Sequence, residues 1–306
     1  MFHEDDCSID FLVIGGQKCG TTSLHDWLAK EELVSLPTYK ETHFFSHDDR
    51  FSLGFEWYKS QFQENDNDSH IKGEVDPEYL FFAQSAERIA QLKTAPKIIV
   101  LLRNPLERAL SHYKMSVRRG IEKRPFIQAL NSDVESISID SFHESHFSYF
   151  KRGLYGKQLS RFIAKCPKSE IAYVMFEDLF GENTQESEYL RICQFIGIQS
   201  TLRLDALNLQ SNAAVSPRFY WLNSLIWDKR RFSTLRDLSK IILSRRIRRV
   251  LYQLVYSSNI KARNKDQGSG LLAEPPDKVM QLLKEDACLL NKLTGLDFTH
   301  WFSAYD

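Results

Sequence analysis

The sequence predicts an α/β fold of three layers, in which helices cover both faces of a mainly parallel central sheet and a helical part follows toward the C terminus. Three short, largely apolar runs carry this prediction, at residues 9–14, 97–102 and 170–176. Such runs are typical of strands that are buried on both faces. Each is followed by a segment with helical spacing, and strands that alternate with helices favour a parallel sheet. We expect one domain over residues 1–306.

The first predicted strand leads into a glycine-rich loop and then a helix. It ends at Gly15 and Gly16, and helical spacing of apolar residues begins near Thr21. Hydroxyl residues stand where the N terminus of a helix takes its caps. The unit is therefore strand, loop and helix.

The second and third predicted strands are also followed by helices. A helix is predicted over residues 106–119, because Pro105 suits a first helical turn. Another is predicted over about 186–195, closed by Gly197.

Three further segments have no place in the sheet. Loops are predicted at residues 65–69 and 267–276, which are rich in polar residues, glycine or proline. Residues 218–265 form a basic segment of largely helical character, with a charged face between residues 229 and 249 that is most often simply solvated.

Composition excludes several classes of protein. The 306 residues, 42% hydrophobic, include 40 basic and 40 acidic side chains, so no global field favours nucleic acid. Five cysteines without a CxxC pair indicate reduced thiols rather than disulfides or a zinc site. The first ten residues lack a signal-peptide pattern, and no apolar run approaches the ~18 residues that a spanning helix needs. We expect a soluble, cytoplasmic protein without a stable membrane anchor.

The loop after the first strand is a candidate anion site. Backbone N–H groups and the positive end of the helix dipole meet there, and Lys18 adds a full charge. A Walker A loop would carry a lysine directly before the threonine pair, and this loop does not. The alternative is an ordinary glycine-rich turn. The candidate binding residues are Gly16, Gln17, Lys18, Cys19, Gly20, Thr21 and Thr22.

A second phosphate site is predicted after the second strand. Arg103 follows that strand at the carboxyl edge of the sheet, and Ser111 lies two turns into the next helix. A guanidinium and a hydroxyl together suit a phosphate. The alternatives are a surface salt bridge for Lys18 and Arg103, and a small packing residue at Ser111.

These motifs resemble those of the 3'-phosphoadenosine 5'-phosphosulfate (PAPS) dependent sulfotransferase family, nearest to its bacterial carbohydrate-type and heparan-sulfate-type branches. The resemblance implies a P-loop-NTPase-like fold, with the first loop on the 5'-phosphosulfate and Arg103 with Ser111 on the 3'-phosphate. Further similar motifs follow in order at residues 40–45 (KETHFF), 54–58 (GFEWY), 73–80 (GEVDPEYL), 173–179 (YVMFEDL) and 293–301 (LTGLDFTHW).

The resemblance also implies roles near the acceptor. Glu41 is the candidate base, and His43 would orient it or contact the acceptor. Lys40, Asp76 and Tyr79 would line the acceptor cleft. The alternatives are a solvated carboxylate at Glu41, a core histidine at His43, and a turn residue and a packed ring at Asp76 and Tyr79.

Two more positions bear on the comparison with the family. Tyr155 resembles a family position near the cofactor. Some heparan-type relatives carry an aspartate directly after the paired phenylalanines, where Ser46 stands here.

The predicted reaction is transfer of a sulfuryl group from PAPS to a hydroxyl or amine of a carbohydrate or small molecule, with no metal required. Lys18 would stabilise charge on the leaving oxygen. The alternatives are an atypical P-loop kinase or nucleotide phosphotransferase, which would need magnesium, and a degenerate binding module.

Overall fold

The computed structural model of the chain describes residues 8–62, 70–136, 140–202, 215–217, 260–262 and 275–305. The chain divides into two units. The first combines residues 1–108, 152–211 and 280–306, and the second combines 109–151 and 212–279. That the whole chain forms one domain stays a prediction.

A five-stranded sheet forms the centre of the first unit. Its strands are β1 (Phe11–Gly15), β2 (Val34–Ser35), β3 (Ile71–Val75), β4 (Lys97–Leu102) and β5 (Ile171–Met175). Their order in the sheet is β2-β3-β1-β4-β5, and every neighbouring pair is parallel. The predicted α/β class with a mainly parallel sheet is therefore confirmed.

The burial of the central strands explains why they could be recognised in the sequence. Every residue of β1 is buried, as are Ile98 to Leu102 in β4. Since neighbouring side chains of a strand point to opposite faces, both faces must be covered, and only an uninterrupted apolar run satisfies that requirement. At the sheet edge, β5 buries only Ala172 and Val174.

Helices follow the strands as predicted, within a residue or two. The first unit contains α1 (Thr21–Leu28), α2 (Asp48–Phe51), α3 (Gly54–Lys59), α4 (Glu78–Phe81), α5 (Ala83–Ile89), α9 (Tyr155–Lys165), α10 (Phe176–Leu179) and α11 (Gln185–Ile196). Three of the described elements contain a boundary between the units: α6 (Pro105–Arg118), a 3₁₀ turn (Lys151–Gly153) and α12 (Asp277–Thr294). A second 3₁₀ turn, Thr299–Tyr305, follows α12. Pro105 begins α6, and left-handed Gly197 closes α11.

The N terminus of α1 differs from the prediction. Its N-cap is Gly20, with φ of 92°, and no side chain caps the helix. The hydroxyl residues Thr21 and Thr22 are the first residues of the helix rather than its caps. The first amides of α1 consequently have no side-chain cap, and such amides are donors that an anion can use.

The second unit contains α7 (Phe126–Glu135), α8 (Ser141–Phe147) and an antiparallel pair of strands, β6 (Val215–Pro217) and β7 (Ile260–Ala262). In the predicted basic helical segment 218–265, the described residues are thus strand rather than helix, because they pair with β6. Residues 218–259 and 263–265, including the charged face at 229–249, lie outside the described residues, as do the predicted loop at 65–69 and most of that at 267–276.

A buried carboxylate organises part of the second unit. Asp133 of α7 accepts hydrogen bonds from the backbone amides of Phe150 (2.6 Å) and Lys151 (2.9 Å).

Within the described part of the chain, no helix has both the length and the apolar composition to cross a membrane.

Candidate active site

Three neighbouring strands end at the same edge of the sheet, and predicted site residues come directly after each of them. The glycine-rich loop follows β1, Asp76 follows β3, and Arg103 follows β4. Since β3, β1 and β4 are adjacent and parallel, their carboxyl ends form one edge, which is where open α/β sheets bind ligands.

The loop that follows β1, residues 16–22, is here called the donor loop. The Gly16 amide donates to the Leu101 carbonyl at 2.6 Å, which ties the loop to β4, and the Cys19 amide donates to the Gly16 carbonyl at 3.1 Å. Lys18 is left-handed, with φ of 71°, a conformation that costs a non-glycine residue about 1–2 kcal/mol. Strain of this kind persists where the surroundings hold it, often at functional sites.

Arg103 contacts the donor loop directly. Its Nη1 donates to the Lys18 carbonyl at 3.5 Å, and Nη2 donates to Glu107 at 2.9 Å. The guanidinium carbon lies 4.1 Å from the centre of the Phe176 ring, within cation–π range. Phe176 begins α10 and is a contact that the sequence analysis missed.

Tyr155 lies behind the donor loop and is buried. Its hydroxyl donates to the Arg103 carbonyl at 3.1 Å and lies 3.5 Å from the Cys19 sulfur. Burial is the main cause of the raised pKa of the Cys19 thiol, and burial likewise raises the pKa of Tyr155. Both groups are therefore neutral at physiological pH. The structure brings Lys18, Cys19, Arg103 and Tyr155 together.

Ser111 does not belong to the same unit as this cluster. It lies half-buried on α6 in the second unit, whereas Arg103 belongs to the first. The predicted pairing of Arg103 with Ser111 on one phosphate stays a prediction.

Gln17 fixes the other side of the donor loop. Its amide nitrogen donates to Glu78 at 3.2 Å, and Glu78 forms a buried ion pair with Arg152 at 2.7 Å. Arg152 also lies 4.2 Å from the centre of the Phe81 ring. Neither Glu78 nor Arg152 was identified from sequence, because their partners lie more than 60 residues away.

A second loop, residues 40–43, is here called the acceptor turn. Lys40 joins it to α1, because its ammonium group donates to the Thr22 hydroxyl at 3.3 Å and also to the Glu41 carboxylate. The predicted base and the predicted donor-binding Thr22 thus share one lysine. The Glu41 side chain remains partly exposed.

His43 and Asp76 form an ion pair in the acceptor turn. Nδ1 of His43 lies 3.0 Å from Oδ2 of Asp76. Burial alone would lower the pKa of His43, but Asp76, with smaller contributions from Glu78 and Glu41, raises it to about 9. The pKa of Asp76 is lowered, since His43 and the hydrogen bonds outweigh its burial. His43 is therefore an imidazolium ion at neutral pH.

Glu74 lies beside this pair, fully buried in β3. Its carboxylate accepts hydrogen bonds from Tyr58 and Tyr79, each at 2.7 Å, and from the Thr42 amide at 2.8 Å. Burial and then the Asp76 carboxylate raise the pKa of Glu74 to about 7.

The burial of Asp76 and Tyr79 differs from the cleft-lining role that the resemblance implied. Each side chain is 0% exposed, and the polar atoms of each bond within the protein. The physical reason is that Asp76 bonds backbone amides and His43, while Tyr79 bonds Glu74 and Thr42. In this structure they support the acceptor turn, and Lys40, Glu41 and His43 keep exposed side-chain surface.

Asp286 is a further residue that sequence reasoning missed. From α12 its carboxylate accepts from the amides of Gly156 (2.7 Å) and Lys157 (2.9 Å), and so caps α9 directly after Tyr155. A Cβ at Gly156 would lie 2.6 Å from the Asp286 carbonyl, so only glycine permits this approach. No local signal in the sequence links residues 130 apart.

A metal site would need several ligating side chains close together. Across the described ranges, no group of three or more His, Cys, Asp and Glu residues is arranged to hold a metal ion.

Comparison with known proteins identifies a family. A family model described as the sulfotransferase domain matches residues 8–215. The membrane-associated sulfotransferase kil1 of Dictyostelium discoideum is 34% identical over 114 residues, which cover 37% of this chain and 24% of that protein. Heparan sulfate glucosamine 3-O-sulfotransferase 5 of Mus musculus is 26% identical over 222 residues, which cover 71% of this chain and 61% of that protein. The chain thus spans less than two thirds of the length of either relative.

A solved structure shares the fold. A sulfotransferase from Alicyclobacillus acidocaldarius superposes with a TM-score of 0.64 at 20% identity, covering 97% of this chain and 99% of that one. The family model matches more than half of the chain, including the donor loop and the acceptor turn. The chain therefore belongs to the sulfotransferase family.

Proposed function

We propose that this chain transfers a sulfuryl group from PAPS to a hydroxyl or amine of an acceptor, with a carbohydrate as the preferred class. The observation that carries the proposal is the bridge made by Lys40, which joins Thr22 of the donor loop to Glu41 of the acceptor turn. A transferase must hold its donor and its catalytic base close together, so that both reach the acceptor at the same time.

The donor loop fits the phosphosulfate end of PAPS. Gly20 leaves the first amides of α1 without a side-chain cap, and Lys18 stands in the loop itself. Uncapped amides and a helix dipole favour an anion. Arg103, which packs against the loop, would add charge for the second phosphate.

The chain supplies charge and a base to the reaction. PAPS, when bound, supplies an activated sulfuryl group together with a phosphate leaving group. Lys18 would hold positive charge at the oxygen that leaves, in the manner of electrostatic stabilisation generally. Glu41 would take the proton of the acceptor.

His43 is assigned a different role from Glu41. Because Asp76 raises its pKa to about 9, His43 carries its proton at neutral pH and cannot accept another. It can still donate a hydrogen bond from its partly exposed ring to the acceptor. This supports Glu41, rather than His43, as the base.

The acceptor class is proposed from relatives rather than from the pocket. Several relatives are named heparan sulfate glucosamine 3-O-sulfotransferases. The kinase alternative is disfavoured because Lys18 does not take the Walker position before Thr21. We further propose a reducing, cytoplasmic setting, which the free thiols of Cys19, Cys166, Cys193 and Cys288 support.

A transfer assay tests the proposal. Purified protein is incubated with radiolabelled PAPS and a panel of N-sulfated heparan oligosaccharides and small hydroxyl compounds, and binding of 3'-phosphoadenosine 5'-phosphate (PAP) is followed by thermal shift. We expect stabilisation by PAP and label transfer to at least one carbohydrate. No stabilisation by PAP would refute the donor assignment, and magnesium-dependent ATP turnover would favour the kinase instead.

A further inference from the structure

The acceptor turn has a backbone that its own sequence does not favour. Glu41 and His43 are both left-handed, with φ of 63° and 57°. Neither residue is glycine, and a left-handed conformation is disfavoured for side chains that carry a Cβ. Two such residues within three positions require an external restraint.

Two carboxylates, one at the end of β3 and one directly after it, provide that restraint. Glu74 accepts a hydrogen bond from the Thr42 amide, and Asp76 accepts one from the His43 amide, both at 2.8 Å. Glu74 is 1% exposed and Asp76 is 0% exposed. Residues two apart along an extended strand point to the same face, so this pair meets consecutive amides of the turn.

The two carboxylates are themselves held from outside the turn. Tyr58 and Tyr79 both donate to Oε2 of Glu74, which leaves Oε1 for the turn. Asp76 is fixed through its backbone amide, which donates to the Val13 carbonyl at 3.0 Å, and through Oδ1, which accepts from the Glu78 amide at 3.0 Å. Both carboxylates are thus held by groups outside the turn.

We propose that Glu74 and Asp76 are positioning residues for sulfuryl transfer, which together hold the Glu41 carboxylate at the acceptor and aim the His43 ring beside it. This inference rests on the proposed function. Neither residue touches the acceptor, because neither has exposed surface. Their effect reaches the reaction only through the turn that they restrain.

The two carboxylates differ in what they do to His43. Asp76 forms the ion pair with its ring, whereas Glu74 bonds only the neighbouring amide. The other titratable groups that act on His43 are Glu41 in its own turn and Glu78 of α4. The ring of His47 also lies 5.1 Å from that of His43, and the His43 charge contributes to the lowered pKa of His47.

Removal of each carboxylate therefore predicts a different kinetic signature. Asp76→Asn keeps an oxygen for the His43 amide but removes the charge beside the ring. We therefore expect kcat to fall, and the alkaline limb of the profile of kcat against pH to move to lower pH. Glu74→Gln should lower turnover without moving that limb. A displacement of about 1 Å in a catalytic group typically costs about 100-fold in rate, so we expect losses in kcat of about 10- to 100-fold.

The chain offers a matched control in Glu31. It is also buried, and it accepts from a backbone amide (Thr201, 2.9 Å) and a tyrosine (Tyr189, 2.8 Å). It precedes β2 and therefore lies toward the amino ends of the strands, opposite the site. Glu31→Gln makes the same substitution at a buried, hydrogen-bonded glutamate that has no contact with the turn.

The experiment measures kcat against pH with radiolabelled PAPS and an N-sulfated heparan oligosaccharide, together with PAP affinity by calorimetry. We expect Glu74→Gln and Asp76→Asn to lower kcat, with PAP affinity within about twofold of wild type. Glu31→Gln should keep wild-type kcat. Equal losses of kcat in all three variants, or wild-type kcat in both Glu74→Gln and Asp76→Asn, would overturn the inference. Wild-type protein that binds no PAP would instead overturn the proposed function.

A double variant and a milder variant guard against simple misfolding. If the carboxylates act through Glu41, Glu74→Gln should cost little further kcat in a Glu41→Gln background, because effects that share one path are not additive. Fully additive losses would contradict this. Tyr58→Phe removes one hydrogen bond from Glu74 without a buried charge change, and we expect about a fivefold loss in kcat.

Discussion

The donor loop and the acceptor turn lie at the same edge of the sheet, but they are held in place by different means. The donor loop relies on its own residues and its neighbour strand: Gly20 supplies a left-handed turn at no steric cost, and Gly16 bonds the Leu101 carbonyl. The acceptor turn has no glycine, and it is held by the carboxylates of Glu74 in β3 and of Asp76 directly after β3. Both are held by contacts from distant segments, but only the donor loop has a glycine of its own at a left-handed position.

The difference matters for what a substitution would do. A change in the donor loop alters the binding surface for the anion itself, whereas a change in β3 alters only the placement of groups on the acceptor turn. Donor affinity and turnover should therefore separate in variants of the two loops.

The largest expected effect tests the acceptor turn. Glu41→Gln removes the candidate base while preserving shape, and we expect kcat to fall by about 10²- to 10⁴-fold, the range for general base catalysis. The measurement is label transfer from PAPS to the oligosaccharide at saturating donor. Glu56→Gln, at a largely exposed carboxylate paired with Lys59, is the control and should keep full activity. Full activity in Glu41→Gln would remove Glu41 as the base.

The next effect tests the donor loop. Lys18→Ala removes the charge proposed at the leaving oxygen, and we expect turnover to fall by about 10²- to 10³-fold. Steady-state rates of label transfer check this value. Lys165→Ala, which breaks only an exposed pair with Glu87 at 3.0 Å, should leave turnover unchanged. Similar rates for both variants would break the assignment of Lys18.

A third prediction concerns the stability of the donor loop. Gly20→Ala places a Cβ 2.3 Å from the Phe180 ring at a left-handed position, and we expect the free energy of unfolding to fall by about 3 kcal/mol. Gly197→Ala is matched, since Gly197 is also left-handed but nothing lies within 4 Å of its Cβ. That variant should lose only about 1 kcal/mol. Urea unfolding gives both values, and equal losses would contradict the crowding at Phe180.

The smallest effect concerns pH and the acceptor turn. The pKa of His43 is raised from 6.5 to about 9, so its ion pair stabilises the fold fully below pH 6.5 and loses that effect as pH rises through 9. Wild type should therefore exceed His43→Gln in melting temperature by more at pH 6 than at pH 10. Calorimetric melting of both proteins across this range provides the test, and a constant difference would show that the ion pair is not formed.

Sequence reasoning succeeded where the causes are local. The strand at residues 97–102 was predicted with the bounds of β4, because a strand buried on both faces must be apolar throughout. The prediction that Gly197 closes α11 was confirmed for a similar reason, since few residue types other than glycine adopt a left-handed cap readily.

Sequence reasoning was limited where distant segments decide the structure. Nothing in the motif at 40–43 announces that Glu41 and His43 are left-handed, because the restraint comes from Glu74 and Asp76 more than 30 residues away. The alternation of two acidic residues, Glu74 in β3 and Asp76 directly after it, was the available signal. β7 was missed because its pairing with β6 spans 40 residues or more of chain.

The most direct test of the account is calorimetric titration of PAP into three proteins: wild type, Lys18→Ala and Glu41→Gln. We expect that wild type binds PAP, that Lys18→Ala raises the dissociation constant by about tenfold or more, and that the dissociation constant of Glu41→Gln stays within about twofold of wild type. Absence of PAP binding to wild type, or equal weakening in both variants, would contradict the division between donor loop and acceptor turn.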